Sequence, residues 1–368
     1  MNTTIFPSVP AGVATQWWGW DIKQMYRIGQ IGASTSKAER LFLDEPEGRG
    51  FNMLRIPIFG SKGTEGSADG AGAHPACGQI DFNHSPDDGR DYTGVLSDIV
   101  AAKAVRPGVN IFASLKLNVG GVPLPDWAFT PLDPSEQDEA CTGQDSMTID
   151  GVISKKCAVV DAERYACLLY DYLVAFEERG VIFDALGLEN ETGWITVLVW
   201  IQTLAALRAR LAEAGKEDLI PSKLPIPENY HPNWEWLEEY RATDDTLGSI
   251  AGTHFYGVYR PKPKIRNKFL RFTNAAELQG LPKWHTEIHT HEAEEEDEIA
   301  MYPNDIRFAE DVVNQFADYA DRGLTGFVPW AYPNEKSAPK NFGCALLRLA
   351  RVARLPPTTR RFTSRLAP

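Results

Sequence analysis

Residues 186–191 of the chain are LGLENE, and residues 283–289 are KWHTEIH. Each segment has the character of a short buried strand that ends abruptly in a carboxylate. A glutamate at the tip of an apolar strand is costly to bury unless it is paired or has a function. The two segments therefore predict buried strands that have functional residues at their ends.

Eight strand-like runs of this kind occur along the 368 residues, with helical stretches between them. Most are continuous apolar runs, which is typical of strands that are covered on both faces. The predicted strands are Ala14–Asp21, Phe51–Ile58, Asn110–Asn118, Phe183–Glu191, Lys223–Asn229, Ser249–Gly257, Pro282–His289 and Thr325–Tyr332.

The stretches between the strands show a helical period of apolar residues. Eight alternations of strand and helix predict an α/β fold, namely a single-domain (β/α)8 TIM barrel over residues 1–368. A doubly wound open sheet is the main alternative, but no Gly-rich phosphate loop follows the first strand. The clearest predicted helices are Asp161–Gly180, Thr196–Gly215, Ile306–Gly323 and Lys340–Leu355.

Two of the predicted βα loops are long, after strands two and three. They cover about residues 60–91 and 119–160 and are rich in Gly, Pro, Ser and Asp. In such a barrel the loops that follow strands build the active-site face. Both insertions therefore fall where a substrate would be held.

The composition limits the partners. A formal net charge of −13 argues against nucleic acid or an anionic membrane as the main partner. No apolar run reaches the length of a membrane-spanning helix. Residues 1–5 show no basic region followed by an apolar stretch, so no signal peptide is visible. A cytoplasmic enzyme and a secreted enzyme with its signal removed are both open.

The five cysteines follow no CxxC or zinc-binding pattern. Cys141 and Cys157 flank one predicted loop and could form a disulfide in an oxidising compartment, which the sequence leaves open. Cys167 and Cys344 lie on apolar helix faces and are predicted to be unpaired core residues.

Polar and aromatic side chains gather at the predicted strand ends. A lone arginine there is more often a salt-bridge partner than a catalytic residue, and a lone tryptophan is more often core. Their joint occurrence at strand ends is hard to attribute to packing. The residues are Arg55, Asn190, Glu191, His254, Tyr256, Glu287 and Trp330.

Two of these residues have the chemistry to cleave a glycosidic bond. Glu191 and Glu287 end strands four and seven, which a barrel could bring face to face. One carboxyl group would protonate the leaving oxygen, and the other would attack the sugar carbon or activate water.

This arrangement resembles clan A of the glycoside hydrolases, the retaining barrel enzymes whose two glutamates close strands four and seven. Within the clan it looks most like family 30, because residues 113–118 (ASLKLN) and 125–127 (PDW) are similar to that family's third-strand segment and its Pro-x-Trp. Residues 17–21 (WWGWD) are loosely similar to its glycine-rich opening. Because the predicted barrel takes up nearly the whole sequence, we expect the chain to depart from the family by lacking its β-sandwich domain.

The resemblance implies a role for each matched position. Glu191 would be the general acid/base, and Glu287 the nucleophile, kept ionised by Arg55 and a hydrogen bond from Tyr256. Asn190 would hold the sugar's 2-hydroxyl. The substrate would be a β-linked glucan, xylan or galactan or an oligosaccharide, and no cofactor or metal would be needed. Further substrate-binding candidates are Asn118, His254, Trp18, Trp20, Trp127 and Trp330.

Two other functions stay open. His285, Glu287, His289 and His291 alternate and would share one side of a strand, so they could be ligands of a metal-dependent hydrolase on the same barrel. A non-catalytic carbohydrate-binding barrel is the other, although it would be expected to have lost a glutamate. The basic segment 260–268 is predicted to be a loop that binds an acidic sugar substituent or offsets neighbouring acidic residues.

Overall fold

An eight-stranded parallel sheet organises the part of the chain that the computed structural model describes. Its strands are β1 Trp17–Asp21, β2 Met53–Ile58, β3 Asn110–Leu115, β4 Ala185–Gly187, β5 Pro225–Ile226, β6 Ile250–Tyr256, β7 Lys283–His289 and β8 Leu324–Pro329. The described residues are 17–22, 28–44, 47–48, 50–59, 92–115, 124–141, 147–150, 152–191, 193–228, 239, 242, 250–256, 263–275, 278, 280–289, 319 and 322–329.

The strand order within the sheet is β4-β3-β2-β1-β8-β7-β6-β5. Every neighbouring pair is parallel, so each carboxyl end lies at the same edge of the sheet. The prediction of eight strands in an α/β fold is confirmed. Each strand lies within its predicted range except β8, which begins one residue earlier.

The two edge strands of this sheet, β4 and β5, lie against each other without a continuous ladder. A single parallel bridge joins Ala185 to Lys223, and the Leu186 N–H donates to the Lys223 carbonyl at 3.0 Å. Further along, the Glu191 N–H donates to the Glu228 carbonyl at 2.9 Å. The two edges therefore meet through isolated hydrogen bonds.

Helices follow several of the strands. They are α1 Thr35–Phe42, α2 Tyr92–Val105, α3 Ala162–Glu177, α4 Val197–Glu213 and α5 Pro263–Asn274. The side chains of Asp161 and Thr196 cap α3 and α4, each accepting a backbone N–H three residues later, which explains why these helices begin where the sequence predicts. No helix among the described residues could span a bilayer.

Two of the four clearest predicted helices are thus confirmed, as α3 and α4. The predicted helices 306–323 and 340–355 lie almost entirely outside the described residues. The basic segment 260–268 is not simply a loop, because α5 begins at Pro263.

The apolar residues form two separate clusters. The larger one packs the helices against the sheet. The smaller one contains strand residues only, one from each of seven strands, and the Trp284 ring lies 4.8 Å from Trp17 and 5.8 Å from Phe112. This smaller set is called the interior cluster and consists of Trp17, Met53, Phe112, Ala185, Ile250, Trp284 and Val328.

The long insertion after β3 is partly described and contains its own small elements. Phe129–Pro131 pairs antiparallel with Ala158–Val160, and Thr148–Ile149 pairs with Val152–Ile153. The predicted loop 60–91 lies outside the described residues.

Two cysteine findings bear on this insertion and its neighbour α3. Cys141 and Cys157 form a disulfide with a Cα–Cα distance of 5.6 Å, which settles the question that the sequence left open. Cys167 is also disulfide-bonded, so the prediction that it is unpaired is wrong. Cys344 lies outside the described residues.

Candidate active site

Arg55 lies at the centre of a buried polar group at the carboxyl ends of the strands. It is fully buried on β2, and its Nη1 donates to Glu287 Oε1 at 2.8 Å and to Asp21 Oδ2 at 3.2 Å. The same nitrogen donates to the Thr286 carbonyl at 2.9 Å. One side of the guanidinium thus ties β2 to β1 and β7.

The other terminal nitrogen of Arg55 contacts side chains on β3 and just after β4 and β5. Nη2 donates to Glu228 Oε1 at 2.6 Å, to Ser114 Oγ at 2.9 Å and to Asn190 Oδ1 at 3.0 Å. The Ser114 hydroxyl donates in turn to Glu228 Oε2 at 2.8 Å. These side chains together form the Arg55 cluster, which consists of Asp21, Arg55, Ser114, Asn190, Glu228 and Glu287.

The charge of Arg55 is secured by its neighbours. Burial by itself lowers the pKa of an arginine, but the negative charges of Glu228, Glu287 and Asp21 outweigh it and raise the pKa of Arg55 above its ordinary value. Three buried carboxylates therefore face one permanent cation.

Glu191 stands beside this cluster in an unusual backbone conformation. Its φ of 59° lies in the left-handed region, which a residue with a side chain seldom occupies. Strain of this kind persists where the surroundings impose it, and it gathers at functional sites. The prediction that Glu191 ends the fourth strand is wrong, because β4 already ends at Gly187 and Glu191 lies in the turn that follows it.

His254 joins the two predicted catalytic glutamates. Its Nδ1 lies 2.5 Å from Glu191 Oε1 and 3.7 Å from Glu287 Oε2, and the imidazole donates when Nδ1 carries the proton. One carboxylate oxygen of each glutamate and one ring nitrogen of His254 lie within 4.8 Å of one another. The Glu191 side chain is 23% exposed, whereas that of Glu287 is 4% exposed.

A β-bulge on β7 brings Glu287 into this position. The ladder pairs Thr253 with His285 and then His254 with Glu287, so the register skips Thr286. Without the extra residue, the two-residue period that places Trp284 in the interior cluster would turn Thr286 inward. The bulge turns Glu287 inward in its place.

No protein-family model matches the chain, and no curated protein matches its sequence. Solved structures do match. The endo-β1,6-glucanase BT3312 has a TM-score of 0.56 at 14% identity over 94% of this chain and 78% of its own. SrfJ from Salmonella typhimurium has a TM-score of 0.54 at 15% identity, over 93% of this chain and 75% of its own. A conserved exported protein from Bacteroides fragilis has a TM-score of 0.54 at 15% identity, over 86% of this chain and 69% of its own.

The resemblance to the clan A glycoside hydrolases extends to the fold. At such identity the similarity covers the fold alone, so the site must be argued from this chain's own residues. Five of the predicted strand-end residues have described side chains, and these five lie in one place: Arg55, Asn190, Glu191, His254 and Glu287.

The other predicted substrate-binding residues either lie elsewhere or are outside the described side chains. Trp127 lies in a 3-10 turn at Asp126–Ala128, and it packs against the larger apolar cluster. Trp18, Trp20 and Tyr256 lie on β1 and β6, but their side chains are outside the described set, as are Asn118 and Trp330 entirely.

The predicted metal constellation on β7 is wrong in one respect. His285 and Glu287 do not share a side of the strand, because the bulge at Thr286 intervenes; the His285 ring lies 5.1 Å from that of Tyr319 instead. The His289 side chain and His291 are outside the described residues. Within the described part of the chain, the one set of side chains spaced to hold a metal ion is Glu191, His254 and Glu287.

Three members of the Arg55 cluster were missed by sequence reasoning. Asp21, Ser114 and Glu228 are all fully buried. A usable signal existed for Glu228, because residues 224–228 (LPIPE) form an apolar run that ends in a carboxylate, the same pattern that singled out Glu191 and Glu287.

Proposed function

We propose that the protein is a retaining glycoside hydrolase in which Glu287 is the nucleophile and Glu191 the general acid/base. The observation that carries the proposal is that one oxygen of Glu191 and one of Glu287 lie within 4.8 Å of each other, with His254 Nδ1 near both. Retaining pairs have carboxyl groups about 5–5.5 Å apart, whereas inverting pairs leave about 6.5–9.5 Å for a water molecule. The spacing here supports a double displacement.

The environments of the two glutamates support the division of roles. Glu287 is buried and hydrogen-bonded to Arg55, so it can remain an anion in a dry site, as a nucleophile must. Glu191 is partly exposed and bonded to His254, where it can exchange protons with an incoming water.

The reaction follows in two balanced steps. Glu287 attacks the anomeric carbon while the bond from that carbon to the leaving oxygen breaks, and Glu191 gives its proton to that oxygen. Glu191 then takes a proton from water, whose oxygen attacks the same carbon and releases Glu287. His254 can donate a hydrogen bond to Glu191 whenever its carboxylate is charged.

The proposed scaffold is a single closed (β/α)8 barrel over residues 1–368. Its closure is supported by the Ala185–Lys223 bridge at the remaining seam. Lys223 Nζ also lies 4.8 Å from the centre of the Trp17 ring, so the β5 side of the seam reaches β1. The interior cluster, built from strand residues only, is what the packed inside of a barrel requires.

The proposed substrate is a β-linked glycan or oligosaccharide, with no cofactor. The similar structure of an endo-β1,6-glucanase makes β-glucans the first class to test, followed by xylans and galactans. The remaining proposed substrate contacts are Asn118, Asn190, Tyr256, Trp18, Trp20, Trp127 and Trp330.

The test separates the two glutamates by their chemistry. Glu287→Ala should abolish hydrolysis of every substrate, and added azide should restore turnover of an activated aryl glycoside with inverted product. Glu191→Ala should retain the first step on aryl glycosides and lose roughly 10²–10⁴-fold on natural ones. Azide should then give the product of retained configuration. Glu136→Ala, which removes an exposed glutamate in the β3 insertion, is the matched control.

Two outcomes would overturn the proposal. One is near-normal hydrolysis by both glutamate variants. The other is loss of the wild-type activity on chelation, because that result would favour a metal-dependent hydrolase over a two-carboxylate mechanism.

A further inference from the structure

Glu228 is a third buried glutamate in the Arg55 cluster, and the two-carboxylate mechanism does not use it. It follows the short strand β5 and is fully buried. A carboxylate in such a place destabilises the fold unless its partners compensate, and retaining it calls for a reason.

Three polar contacts of Glu228 lead to the proposed catalytic residues. Its Oε1 accepts from Arg55 Nη2 at 2.6 Å, and Arg55 Nη1 is bonded to Glu287. Its Oε2 accepts from the Ser114 hydroxyl at 2.8 Å. Its main-chain carbonyl accepts from the Glu191 N–H at 2.9 Å. Glu228 is thus bonded both to Arg55, which holds Glu287, and to the backbone of Glu191.

The neighbouring strand is shaped to admit this side chain. A Cβ on Gly187 of β4 would collide with the Glu228 carboxylate. A glycine at this position therefore leaves the space into which the carboxylate fits, where it meets Arg55 from one side and Ser114 from the other.

The contact to Glu191 has particular value because of the backbone there. Glu191 has a φ of 59°, a conformation that needs support from its surroundings. The hydrogen bond from its N–H to the Glu228 carbonyl lies across the seam between β4 and β5 and supplies such support.

We propose that Glu228 is a positioning residue of the site: its carboxylate orients Arg55 against Glu287, and its carbonyl holds the turn that presents Glu191. This inference rests on the proposed glycosidase function. Glu228 touches no reacting atom in this scheme and acts through its two partners.

The charge of Glu228 also affects how the reaction rate depends on pH. Around the site it adds a negative charge to those of Asp21, Glu191 and Glu287, which face Arg55 and His254. From α3 and the turn after β4, Tyr165 and Glu189 are electrostatically coupled to the same region. Removing one negative charge makes the other carboxylates easier to ionise. The acidic limb of the pH–rate profile should therefore move to lower pH when Glu228 is neutralised.

The experiment measures kcat, KM, the pH profile and the melting temperature of Glu228→Gln, with Ser114→Ala as the matched control. Glu228→Gln should lower kcat by roughly 10- to 100-fold with KM within about twofold, since misplacement of a supporting group by about 1 Å has such effects. The acidic limb of kcat/KM should shift to lower pH. Ser114→Ala removes a neutral hydrogen bond to the same carboxylate, so it should reduce kcat less and leave the limb in place.

A wild-type kcat and pH profile in Glu228→Gln, with only a lower melting temperature, would overturn the inference and make Glu228 a structural residue. If Glu228→Gln does not fold, Gly187→Ala replaces it. That variant displaces the carboxylate and keeps its charge, so kcat must fall without a shift of the acidic limb, and an unchanged kcat would overturn the inference.

Glu287→Ala, assayed in parallel, separates this inference from the proposed function. If Glu287→Ala is inactive while Glu228→Gln behaves as wild type, only the role of Glu228 fails. If Glu287→Ala is active, the glycosidase proposal fails and the role of Glu228 fails with it.

Discussion

The two ends of the same strands differ completely in chemistry. On β2 the apolar Met53 is followed two residues later by Arg55, and on β3 Phe112 is followed by Ser114. The amino-terminal residue of each pair belongs to the interior cluster and the other to the Arg55 cluster. Residues two apart on a strand share a face, so one face of one sheet carries both regions.

The comparison shows that apolar packing and polar contacts are separated along the strand direction. The apolar end excludes water and needs no partners beyond packing, whereas the polar end holds three buried carboxylates that need a cation. The two regions touch where the Arg55 guanidinium lies 5.4 Å from the centre of the Phe112 ring. Packing thus supports the site from one side, and hydrogen bonds complete it.

The largest effect is expected from breaking the polar end with Arg55→Met. The change leaves Asp21, Glu228 and Glu287 buried without their cation, so unfolding free energy should fall by about 3–5 kcal/mol. The proposed glycosidase activity should be lost as well. Denaturant unfolding and kcat/KM measure the two effects. Lys156→Met is the control, because the exposed Lys156 pairs with Asp138, and such a pair contributes at most about 1 kcal/mol.

If Arg55→Met were as stable as the control, the three carboxylates could not depend on Arg55 as its short hydrogen bonds indicate. The division between a polar and an apolar end would then carry no energetic meaning.

The next effect comes from breaking the apolar end with Trp284→Ala. Its ring packs on Trp17 and Phe112 and fills the space that Gly326 leaves open, so a cavity should cost about 3–5 kcal/mol. The kcat of the folded variant should stay near that of wild type, because Trp284 packs on other apolar residues of the interior cluster. Leu198→Ala, at an exposed position on α4, is the control and should change stability by under about 0.5 kcal/mol. A large loss of kcat at unchanged stability would contradict the separation of the two ends.

A buried carboxylate outside both regions sharpens the comparison with a smaller effect. Asp98 on α2 accepts the N–H groups of Gly29 and Gly32, each at 2.7 Å, rather than an arginine. Burial raises the pKa of Asp98 to about 6. Its folded pKa lies above its unfolded one, so the stability it contributes is present below about pH 4 and is lost as pH rises through about 6.

The loss from this residue should be roughly 3 kcal/mol, from a shift of about two pKa units. Asp98→Asn should remove this part of the pH dependence of unfolding free energy, whereas Glu47→Gln, at an exposed position, should leave it unchanged. An Asp98→Asn variant with the wild-type pH dependence would show that Asp98 does not titrate in this range.

Sequence pattern alone determined the eight strands, the starts of α3 and α4, and five side chains that the structure brings together. Continuous apolar runs identify buried parallel strands, and Asp161 and Thr196 mark helix starts by local capping. Because parallel strands end at one edge, polar residues at their carboxyl ends could be expected to converge. Arg55, Asn190, Glu191, His254 and Glu287 do so.

Only the tertiary structure decided which side chains face one another within that edge. The bulge at Thr286 is set by the pairing of β7 with β6. A two-residue period in the sequence therefore could not show that His285 and Glu287 lie on different faces of the strand. Glu228 joins the site because Gly187, on a strand distant in sequence, leaves it space beside Arg55. Period and capping are local properties that the chain carries in its order of residues, whereas register and mutual fit exist only once distant strands have paired.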